Sequence, residues 1–531
     1  MKKILCLFLT LCSFSGMVHS DISWGTPTSI STASVNASDP HVVIDNSGNV
    51  TAAWVESGVI QSSSLPYSGS WSSIVSISDI SNSSSSPKLA IDASGNVTAL
   101  WIEVQSGNAV IESATLPFGG SWGSETSPIS GAGASAPSLA VDSTGNAVAV
   151  WVRSNYIESS TRISGTWSLV SILSAVNSSN AHVAISDSGK AVAVWHTTAV
   201  SGADQLYSDF LTISTNTWST PLSVLAVTAG VKHNYPKVAI DPYGNATMAW
   251  YRYELLDGNS YQEVTVLSSD LSVDSAAWTA IPTVLSGQGI RNPVDLNIKL
   301  RFDSSGDILG VWTNSYDGMT FNIETARRLY GAIWPGEVQP GTPTLYSFAF
   351  DHEISSGTAL LLYMQWDGVS NITIQSQETE TTDPTLQAWS NPNQMSTTSE
   401  NGYPVCGISL LGSNFNGVTL WISNNGTNNE ILACFGSAPV TVPPTSLSAT
   451  QSSTNFGIYT DYYNTFTWVD STDPTAIQYN LFRNGVFFNE VNPGTEIFVD
   501  HNQAIGGGVV YGVAMLNADY RQSAIVTYTL P

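Results

Sequence analysis

Five short turns carry the side chains that could hold a metal ion. Each has an aspartate followed three residues later by glycine, as in Asp45-Asn-Ser-Gly48-Asn. The aspartates are Asp45, Asp92, Asp142, Asp241 and Asp303. Ca²⁺ takes roughly six to eight oxygen ligands, and each turn offers one dependable carboxylate. The favoured interpretation is therefore a hairpin turn, with aspartate capping the backbone and glycine at positive φ. A ring of Ca²⁺ sites is the alternative, and we expect no other cofactor.

A second group of residues gathers cations and tyrosines in the longest loops of the chain. Tyrosine and arginine supply rigid contact area and forked hydrogen bonding, which are common in recognition surfaces. A solvated long loop is the alternative. No serine or cysteine nucleophile motif accompanies His233, so no catalytic residue is assigned. The candidate ligand-binding residues are Lys232, His233, Tyr235, Arg252, Tyr253, Asp257, Tyr261, Arg291, Tyr316 and Asp317.

The elements that must position these residues come from an internal repeat. Residues 40–54 and 87–101 share a proline, an apolar run ending in aspartate, a Gly-Asn turn and a second run ending in tryptophan. Six clear copies and two degenerate ones end at Trp54, Trp101, Trp151, Trp195, Trp250, Trp312, Trp366 and Trp421. Propeller blades recur about every 40 to 50 residues, so the pattern predicts eight blades.

Each repeat divides into four predicted strands, labelled a to d along the chain. In the first copy these are the run ending at Asp45, the run ending at Trp54, residues 59–63, and residues 71–77, which open on a second tryptophan. Seven such fourth strands serve eight repeats. The missing one is the segment that begins at Trp24, which predicts that the N-terminal strand completes the last blade and closes the ring.

The turns resemble the NHL-type propeller repeat, with its apolar strand, aspartate, Gly-Asn turn and second strand. They are also similar to the Asp-box (BNR) repeats of sialidase-like propellers, although Asp45 and Gly48 lie three residues apart where an Asp box has two. The arginines, tyrosine nucleophile and acid of sialidases cannot be matched residue by residue. The resemblance therefore implies a propeller architecture and no particular reaction.

The predicted domains follow from these patterns. Residues 1–20 form a secretory signal peptide, with Lys2 and Lys3 before a short apolar core and cleavage expected near Ser20-Asp21. Residues 21–437 form the eight-bladed propeller and 438–444 a proline-rich linker. Residues 445–531, with a tryptophan at 468 and tyrosines at 479 and 511, resemble a fibronectin type III β-sandwich. The predicted fold class is therefore all-β throughout.

Composition limits the function. The full chain carries a net charge of −25, and loss of Lys2 and Lys3 with the signal makes the mature chain more acidic. An acidic surface repels nucleic acid and anionic lipid, and no later segment is apolar enough to span a membrane. Of the four cysteines, Cys406 and Cys434 remain after cleavage, placed two strands apart and too far for a disulfide unless the strand assignment shifts.

These observations favour an exported monomer, secreted, periplasmic or at the cell surface, that uses the propeller to recognise a glycan or protein ligand. No paired carboxylates stand out from the turn aspartates, and fold alone does not imply catalysis. The sequence therefore favours a binding or adhesion protein. The alternatives are a propeller-type carbohydrate-active enzyme, either glycosidase or lyase, and a structural envelope component without a small ligand.

Overall fold

The computed structural model divides the chain into two compact units, described separately here. The larger contains residues 21–411 and 415–437, and the smaller contains residues 438–531. The predicted signal peptide lies outside the described residues. The structure describes residues 23–531 apart from 68, 124–126, 199–203, 226–230, 256–261, 273–276, 280, 287–288, 292–296, 316–321, 335–346, 356–357, 367–371, 381–388, 390–391, 397–403, 412–413, 438–443, 457–458, 473–475, 485, 502, 506 and 518–525.

The larger unit is built almost entirely of short β-strands, with one 3₁₀ turn at Ile213–Thr215. The strands of its first half are β1 (Ser23–Trp24), β2 (Thr28–Ser29), β3 (Ala37–Ile44), β4 (Val50–Glu56), β5 (Val59–Leu65), β6 (Val75–Ser76), β7 (Ser83–Ile91), β8 (Val97–Gln105), β9 (Asn108–Leu116), β10 (Ala134–Val141), β11 (Ala147–Arg153), β12 (Tyr156–Ile163), β13 (Thr166–Trp167), β14 (Ser171–Ile172), β15 (Ser178–Ser186), β16 (Lys190–Thr198), β17 (Asp204–Thr212), β18 (Thr217–Trp218) and β19 (Leu222–Ser223). Those of its second half are β20 (Val231–Ile240), β21 (Ala246–Leu255), β22 (Gln262–Leu271), β23 (Thr283–Val284), β24 (Gly289–Arg291), β25 (Ile298–Phe302), β26 (Ile308–Asn314), β27 (Asn322–Arg328), β28 (Ser347–Ser355), β29 (Thr358–Trp366), β30 (Ile372–Glu380), β31 (Asn393–Gln394), β32 (Val405–Leu411), β33 (Asn414–Asn424) and β34 (Asn429–Ser437).

Among the described residues these strands form eight sheets, numbered 1 to 8 along the chain by their first long strands, β3, β7, β10, β15, β20, β25, β28 and β32. Sheets 1 to 7 add antiparallel strands in chain order. Sheet 8 combines both ends of the unit, because β1 and β2 pair with β34, with Trp24 opposite Gly436. The predicted pairing of the N-terminal strand with the last repeat is therefore present, and the predicted all-β fold is confirmed.

The first strands of the eight sheets contact one another in sequence. β3 contacts β7, and the series continues through β10, β15, β20, β25 and β28 to β32, which contacts β3 again. The first strands thus form a closed ring. This is the arrangement of a β-propeller, in which each sheet stands edge-on to a common axis and no long sheet edge is left at the centre.

Tryptophans at the ends of the second strands fill the space between sheets. Seven of the eight are almost fully buried, and four direct their indole nitrogens at buried glutamates. Trp54 donates to Glu56 at 2.7 Å and Trp312 donates to Glu324 at 2.7 Å. A buried carboxylate requires such donors, so the tryptophan repeat is explained by packing and by hydrogen-bond satisfaction. The buried seven are Trp54, Trp101, Trp151, Trp195, Trp250, Trp312 and Trp421.

The predicted fourth strands are shorter than the sequence pattern indicates. Of residues 71–77, Val75–Ser76 form a strand opposite Ser62 and Gln61 of β5, and Ser72 and Ile77 add single backbone hydrogen bonds to that strand. Ser72 interrupts the ladder, because its hydroxyl accepts the amide of Ser64 at 3.0 Å. A serine side chain that bonds nearby backbone competes with regular pairing. The prediction of a continuous fourth strand is therefore wrong, and the outermost element of each sheet is at most a pair of short bridges.

One buried glutamate in sheet 2 makes a prediction about pH. Glu112 is fully buried, and Gln105 donates to it at 2.7 Å and to Glu103 at 3.0 Å. Desolvation raises the pKa of Glu112 to about 8. The folded protein therefore binds a proton that the unfolded chain releases near its ordinary pKa of 4.5, so stability falls as pH rises from about 4.5 to about 8.

Glu112→Gln should flatten that pH dependence, because glutamine keeps the shape and cannot ionise. We expect the free energy of unfolding at pH 8 to rise by more than about 1 kcal/mol relative to native protein, with little change at pH 4. Urea unfolding at both pH values measures it. Glu430→Gln, at a half-buried glutamate on β34, is the comparison for removing any carboxylate. An equal gain at both pH values would contradict the assignment.

The smaller unit contains two antiparallel sheets. Its strands are β35 (Thr445–Asn455), β36 (Thr460–Val469), β37 (Ala476–Arg483), β38 (Val486–Val491), β39 (Ile497–Asp500), β40 (Val510–Asn517) and β41 (Val526–Thr529). One sheet has the order β35-β36-β39 and the other β38-β37-β40-β41. Trp468, Tyr479 and Tyr511 are buried in one core between them. In the part of the chain that the structure describes, no helix is long and apolar enough to cross a membrane.

Candidate functional site in the ring of first strands

The repeated aspartates are used inside their own turns. Asp45 Oδ1 accepts the amides of Ser47 and Asn49 at 2.8 Å each, and its Oδ2 accepts the Asn49 side chain at 2.7 Å. Gly48 has φ of 81°, a conformation that glycine adopts without strain. The same bonds recur at Asp92, Asp142 and Asp241, and Asp303 keeps the backbone pair. With both oxygens engaged, the turn interpretation explains these residues.

Loss of one cap should lower stability without affecting ligand chemistry. Asp142→Ala removes the acceptor of two backbone and two side-chain donors, and we expect the free energy of unfolding to fall by about 1–2 kcal/mol. Asp142→Asn retains one acceptor oxygen and should cost less. Thermal or urea unfolding measures both. A rise in melting temperature on adding Ca²⁺ to native protein, absent in Asp142→Ala, would instead support the metal alternative.

The structure brings part of the predicted loop site together on β20 and β21. Lys232 lies opposite Tyr253, and His233 lies opposite Arg252. Lys232 is exposed, but His233 is buried and its Nδ1 accepts the Trp250 indole at 3.0 Å.

Tyr253 lies in the apolar core with Tyr235 packed against it. Arg291 ends β24, paired with Gln262. Asp257, Tyr261, Tyr316 and Asp317 lie outside the described residues. The loop surface remains a prediction.

The inner ring encloses a different and more charged site. Two cavities of about 510 and 760 Å³ are lined by the first strands of all eight sheets. They share the side chains of His41, Lys88, Lys299 and Arg301. Together they are called the ring channel below. With Lys237, the channel contains four of the 16 lysines and arginines in a chain whose net charge is −25.

One position recurs around this channel and is called the ring position. In sheets 1 to 6 it lies directly opposite the residue that precedes the second-strand tryptophan, as His41 lies opposite Ala53. Its occupants are His41, Lys88, Ser138, His182, Lys237 and Lys299. Asp351 of sheet 7 and Cys406 of sheet 8 line the same channel. The repeat thus presents one side chain from each sheet toward the axis.

At several of these residues the side chain joins one sheet to the next. His41 Nδ1 accepts the amide of Leu89 at 3.4 Å, and Ser138 Oγ accepts that of Val183 at 3.3 Å. His182 Nδ1 accepts the amide of Val238 at 3.4 Å, as Asp351 Oδ2 accepts that of Cys406 at 3.1 Å. A hydrogen-bond acceptor here links neighbouring first strands. This is a structural role that the repeat itself requires.

Lys88 and Lys237 depart from that role, because a lysine ammonium has donors only. Neither has a hydrogen bond or ion pair with any described residue, although both line the ring channel. By contrast, Lys299 Nζ lies 2.6 Å from Asp351 Oδ1, and Arg301 Nε lies 3.6 Å from Glu353 Oε2. Sheets 6 and 7 therefore neutralise each other's charges, whereas Lys88 and Lys237 leave theirs facing the channel.

The pKa shifts follow from this crowding. Desolvation, together with the positive charges of Lys299, Lys88 and Arg301, lowers the pKa of Lys237 to about 8. Desolvation and Lys299 lower the pKa of Lys88, although Asp39 and Asp351 act in the opposite direction. The pKa of Asp351 falls to about 2 despite burial, because Lys299 and Arg301 stabilise the anion.

The two ring histidines are neutral at physiological pH. Burial and the charge of Lys88 lower the pKa of His41 to about 3, and burial and Lys237 place the pKa of His182 well below its usual value. Because Nδ1 of each accepts a backbone amide, the hydrogen-bond pattern assigns the proton to Nε2. Each histidine can therefore donate an N–H from Nε2 without adding charge to the channel.

The thiols at the end of the chain's larger unit are both free and buried, as their placement two strands apart predicts. Burial raises the pKa of Cys406 well above its usual value, and it raises that of Cys434 to about 12. A protonated thiol is a poor nucleophile. Neither cysteine is a candidate for covalent chemistry.

The ring position could have been found from the sequence. In the copies that begin with proline, the residue after it varies among His41, Lys88, Ser138 and Lys237 while its neighbours stay apolar. Charged side chains inside an otherwise apolar strand, in a chain with few cations, were the available signal. The candidate ligand-binding residues were instead predicted in the longest loops, and this strand was predicted to be structural.

Comparison with known proteins places these observations in context. No protein-family model and no curated protein sequence matches the chain. Among solved structures, a polysaccharide lyase of family PL25, an ulvan lyase, is similar with a TM-score of 0.40 and 10% identity, over 75% of this chain and 93% of that one.

An α-L-arabinanase of Penicillium chrysogenum with arabinobiose gives 0.37 and 13%, over 78% and 98%. A subtype N11 neuraminidase-like protein of A/flat-faced bat/Peru/033/2010 (H18N11) gives 0.34 and 11%, over 66% and 87%.

These neighbours correct one prediction. Two of them, the polysaccharide lyase and the arabinanase, are carbohydrate-active enzymes by name, so the prediction of a binding or adhesion protein is wrong and its enzyme alternative is favoured. The substrates of those enzymes are not thereby substrates of the present chain. Similarity of this strength assigns no reaction to the present chain, so the chemistry must be argued from the ring channel itself.

Proposed function

We propose that the protein is a carbohydrate-active enzyme that acts on an anionic saccharide held in the ring channel. The observation that carries the proposal is the pair of lysines, Lys88 and Lys237, which line one cavity and whose side chains make no ion pair with a carboxylate among the described residues. Cations placed close together in a cavity repel one another and lose hydration, which destabilises the folded protein. Such an arrangement is expected where the cations bind a ligand of opposite charge. A saccharide carboxylate or sulfate is such a ligand.

The rest of the channel suits a sugar chain. The larger cavity, about 760 Å³, falls within the size range of small-molecule sites, roughly 300–1,000 Å³. Neutral histidine N–H groups supply directional donors for hydroxyl or ring oxygens, and Ser138 adds a hydroxyl. Convergent polar groups with shifted pKa values in one cavity are a common property of active sites. The net charge of −25 repels an anionic chain at long range, so its attraction depends on the local positive charge of the channel.

Polysaccharide digestion tests the proposal directly. Purified protein is incubated separately with polygalacturonate, alginate, glucuronan and chondroitin sulfate, and with the uncharged polymers arabinan and dextran. We expect new reducing ends from at least one acidic polymer and none from the neutral ones. Lys88→Met/Lys237→Met protein is the matched control and should release none. Reducing ends from neutral polymers alone, or from no polymer, would contradict the proposal.

Finer features of the architecture belong to the same proposal. Eight sheets among the described residues, with the first strands in a closed ring, support an eight-bladed propeller closed by the N-terminal strand. The order and core of the two sheets in the smaller unit support a fibronectin type III-like module. An N-terminal sequence typical of secretion supports export from the cytoplasm. An exported enzyme can contact polymeric saccharides.

A further inference from the structure

We infer that the reaction is β-elimination on a uronate, with Lys237 as the group that removes the proton next to the substrate carboxylate. This inference rests on the proposed function and specifies its chemistry.

The channel's carboxylates do not suit hydrolysis. A glycosidase ordinarily needs two carboxyl groups, one protonated as acid and one ionised as base or nucleophile. Asp351 Oδ1 already accepts Lys299 Nζ at 2.6 Å and the His352 amide at 3.1 Å, while its Oδ2 accepts the Cys406 amide. It is a fixed anion of the scaffold. Two further carboxylates line the channel: Glu353 lies beside Arg301, and Asp39 is exposed.

The cations suit elimination. Removal of a proton from the carbon next to a carboxylate becomes easier when positive charge stabilises the developing carboxylate-delocalised anion. Lys88 is a half-buried cation on sheet 2 that lines the channel, and no described residue neutralises its side chain through a hydrogen bond or ion pair. It can therefore bind the substrate carboxylate directly. Asp39 also lines this side of the channel, and its negative charge favours the protonated form of Lys88 by opposing the lowering of its pKa.

Lys237 is suited to be the base. It lies on β20, whose neighbouring first strands carry His182 on one side and Lys299 and Arg301 on the other. The surrounding positive charges, with Lys88, favour its uncharged amine form. An effective general base has a pKa near the working pH, and an amine near pH 8 meets that condition. His41 and His182 are excluded, because Nδ1 of each is occupied by a backbone amide.

The step balances without another reactant. The Lys237 amine takes the C5 proton, the C5–H electron pair forms the C4=C5 double bond, and the C4–O bond breaks with its electrons on oxygen. The resulting Lys237 ammonium returns a proton to that oxygen, which becomes the new chain end. No water is consumed and nothing is oxidised or reduced. The products are a 4,5-unsaturated uronate and a saccharide with a free hydroxyl.

The test measures two products from the same digestion. We expect reducing ends and the ultraviolet absorbance of the conjugated 4,5-unsaturated uronate to appear together and in equal amounts. Reducing ends without absorbance would mean hydrolysis, which overturns this inference and leaves the proposed function standing. Absence of both from every acidic polymer in the panel overturns the inference and the proposed function together.

Two charge-preserving variants test the role of Lys237. Lys237→Arg keeps the cation but cannot lose its proton, so we expect kcat to fall by about 100-fold or more with KM within a few-fold. Lys190→Arg, on β16 and outside the residues that line the channel, is the matched control and should leave kcat within about twofold. In native protein kcat/KM should rise with pH toward a plateau above pH 8, in line with the pKa of Lys237. Full turnover by Lys237→Arg, or a native rate that falls across this range, would overturn the assignment.

Discussion

Lys88→Met/Lys237→Met protein should bind an acidic oligosaccharide at least about 100-fold more weakly than native protein and yet unfold at a higher temperature. At pH 6 Lys237 is protonated, because its pKa is about 8, and each lysine is then expected to donate a charge-assisted hydrogen bond to the ligand, worth about 1.5–3 kcal/mol. In the free protein the same lysines are desolvated beside Lys299 and Arg301, so their removal relieves repulsion. Opposite effects on binding and on stability are expected of residues retained for ligand chemistry.

Calorimetry with a galacturonate oligomer and thermal unfolding measure the two effects. Lys232→Met is the control, because Lys232 is an exposed cation on β20 that does not line the ring channel. It should leave binding within about twofold. Strong loss of binding in Lys232→Met with no loss in the double variant would place the ligand on the loops instead. A double variant that loses binding together with stability would indicate a purely structural role for the lysines.

The same pair gives a pH dependence with a definite sign. The pKa of Lys237 is about 8 when folded and about 10.5 when unfolded, so between these values the unfolded chain holds more protons. Stability of the native protein should therefore rise as pH increases from about 8 to about 10.5. Lys237→Met should remove this part of the rise, as urea unfolding at pH 8 and pH 10 would show.

Much of the scaffold could be predicted from the sequence because the repeat encodes it locally. The Asp45 turn needs only an aspartate, a glycine and an asparagine in order, and these bonds form within five residues. The pairing of Trp24 with Gly436 spans the whole unit, but counting the second tryptophans reveals it. The fourth strand was overestimated because Ser72 bonds the backbone with its side chain, which strand propensity does not register.

The functional site could not be predicted in the same way. Lys88 and Lys237 lie 149 positions apart in the sequence, and only the closed ring of first strands brings them to one cavity. Their importance also becomes clear only from the hydrogen bonds that the residues at the same position make in other sheets. His41 and Ser138 occupy the same position as acceptors, so a lysine there is informative only when that bonding pattern is known.

Asp351→Asn should be among the most destabilising single substitutions in the channel. The carboxylate is buried, bonds Lys299 at 2.6 Å, and accepts the Cys406 amide that joins sheet 7 to sheet 8. Asparagine keeps the shape but leaves the cations of Lys299 and Arg301 with one anion fewer. Removing one partner of a buried pair costs about 3–5 kcal/mol, and we expect a loss of that order.

Asp351→Asn should also change the acid limb of the stability curve. The folded pKa of Asp351 is about 2 and the ordinary value is 3.8, so its stabilisation is present above pH 3.8 and is lost as pH falls toward 2. In Asp351→Asn protein, the free energy of unfolding should lack this change between about pH 3.8 and pH 2. Lys299→Met, which removes the other partner, should likewise reduce the slope, and Asp351→Asn/Lys299→Met should cost less than the sum of the single changes. Additive costs would show that the two groups act independently, contrary to the 2.6 Å contact.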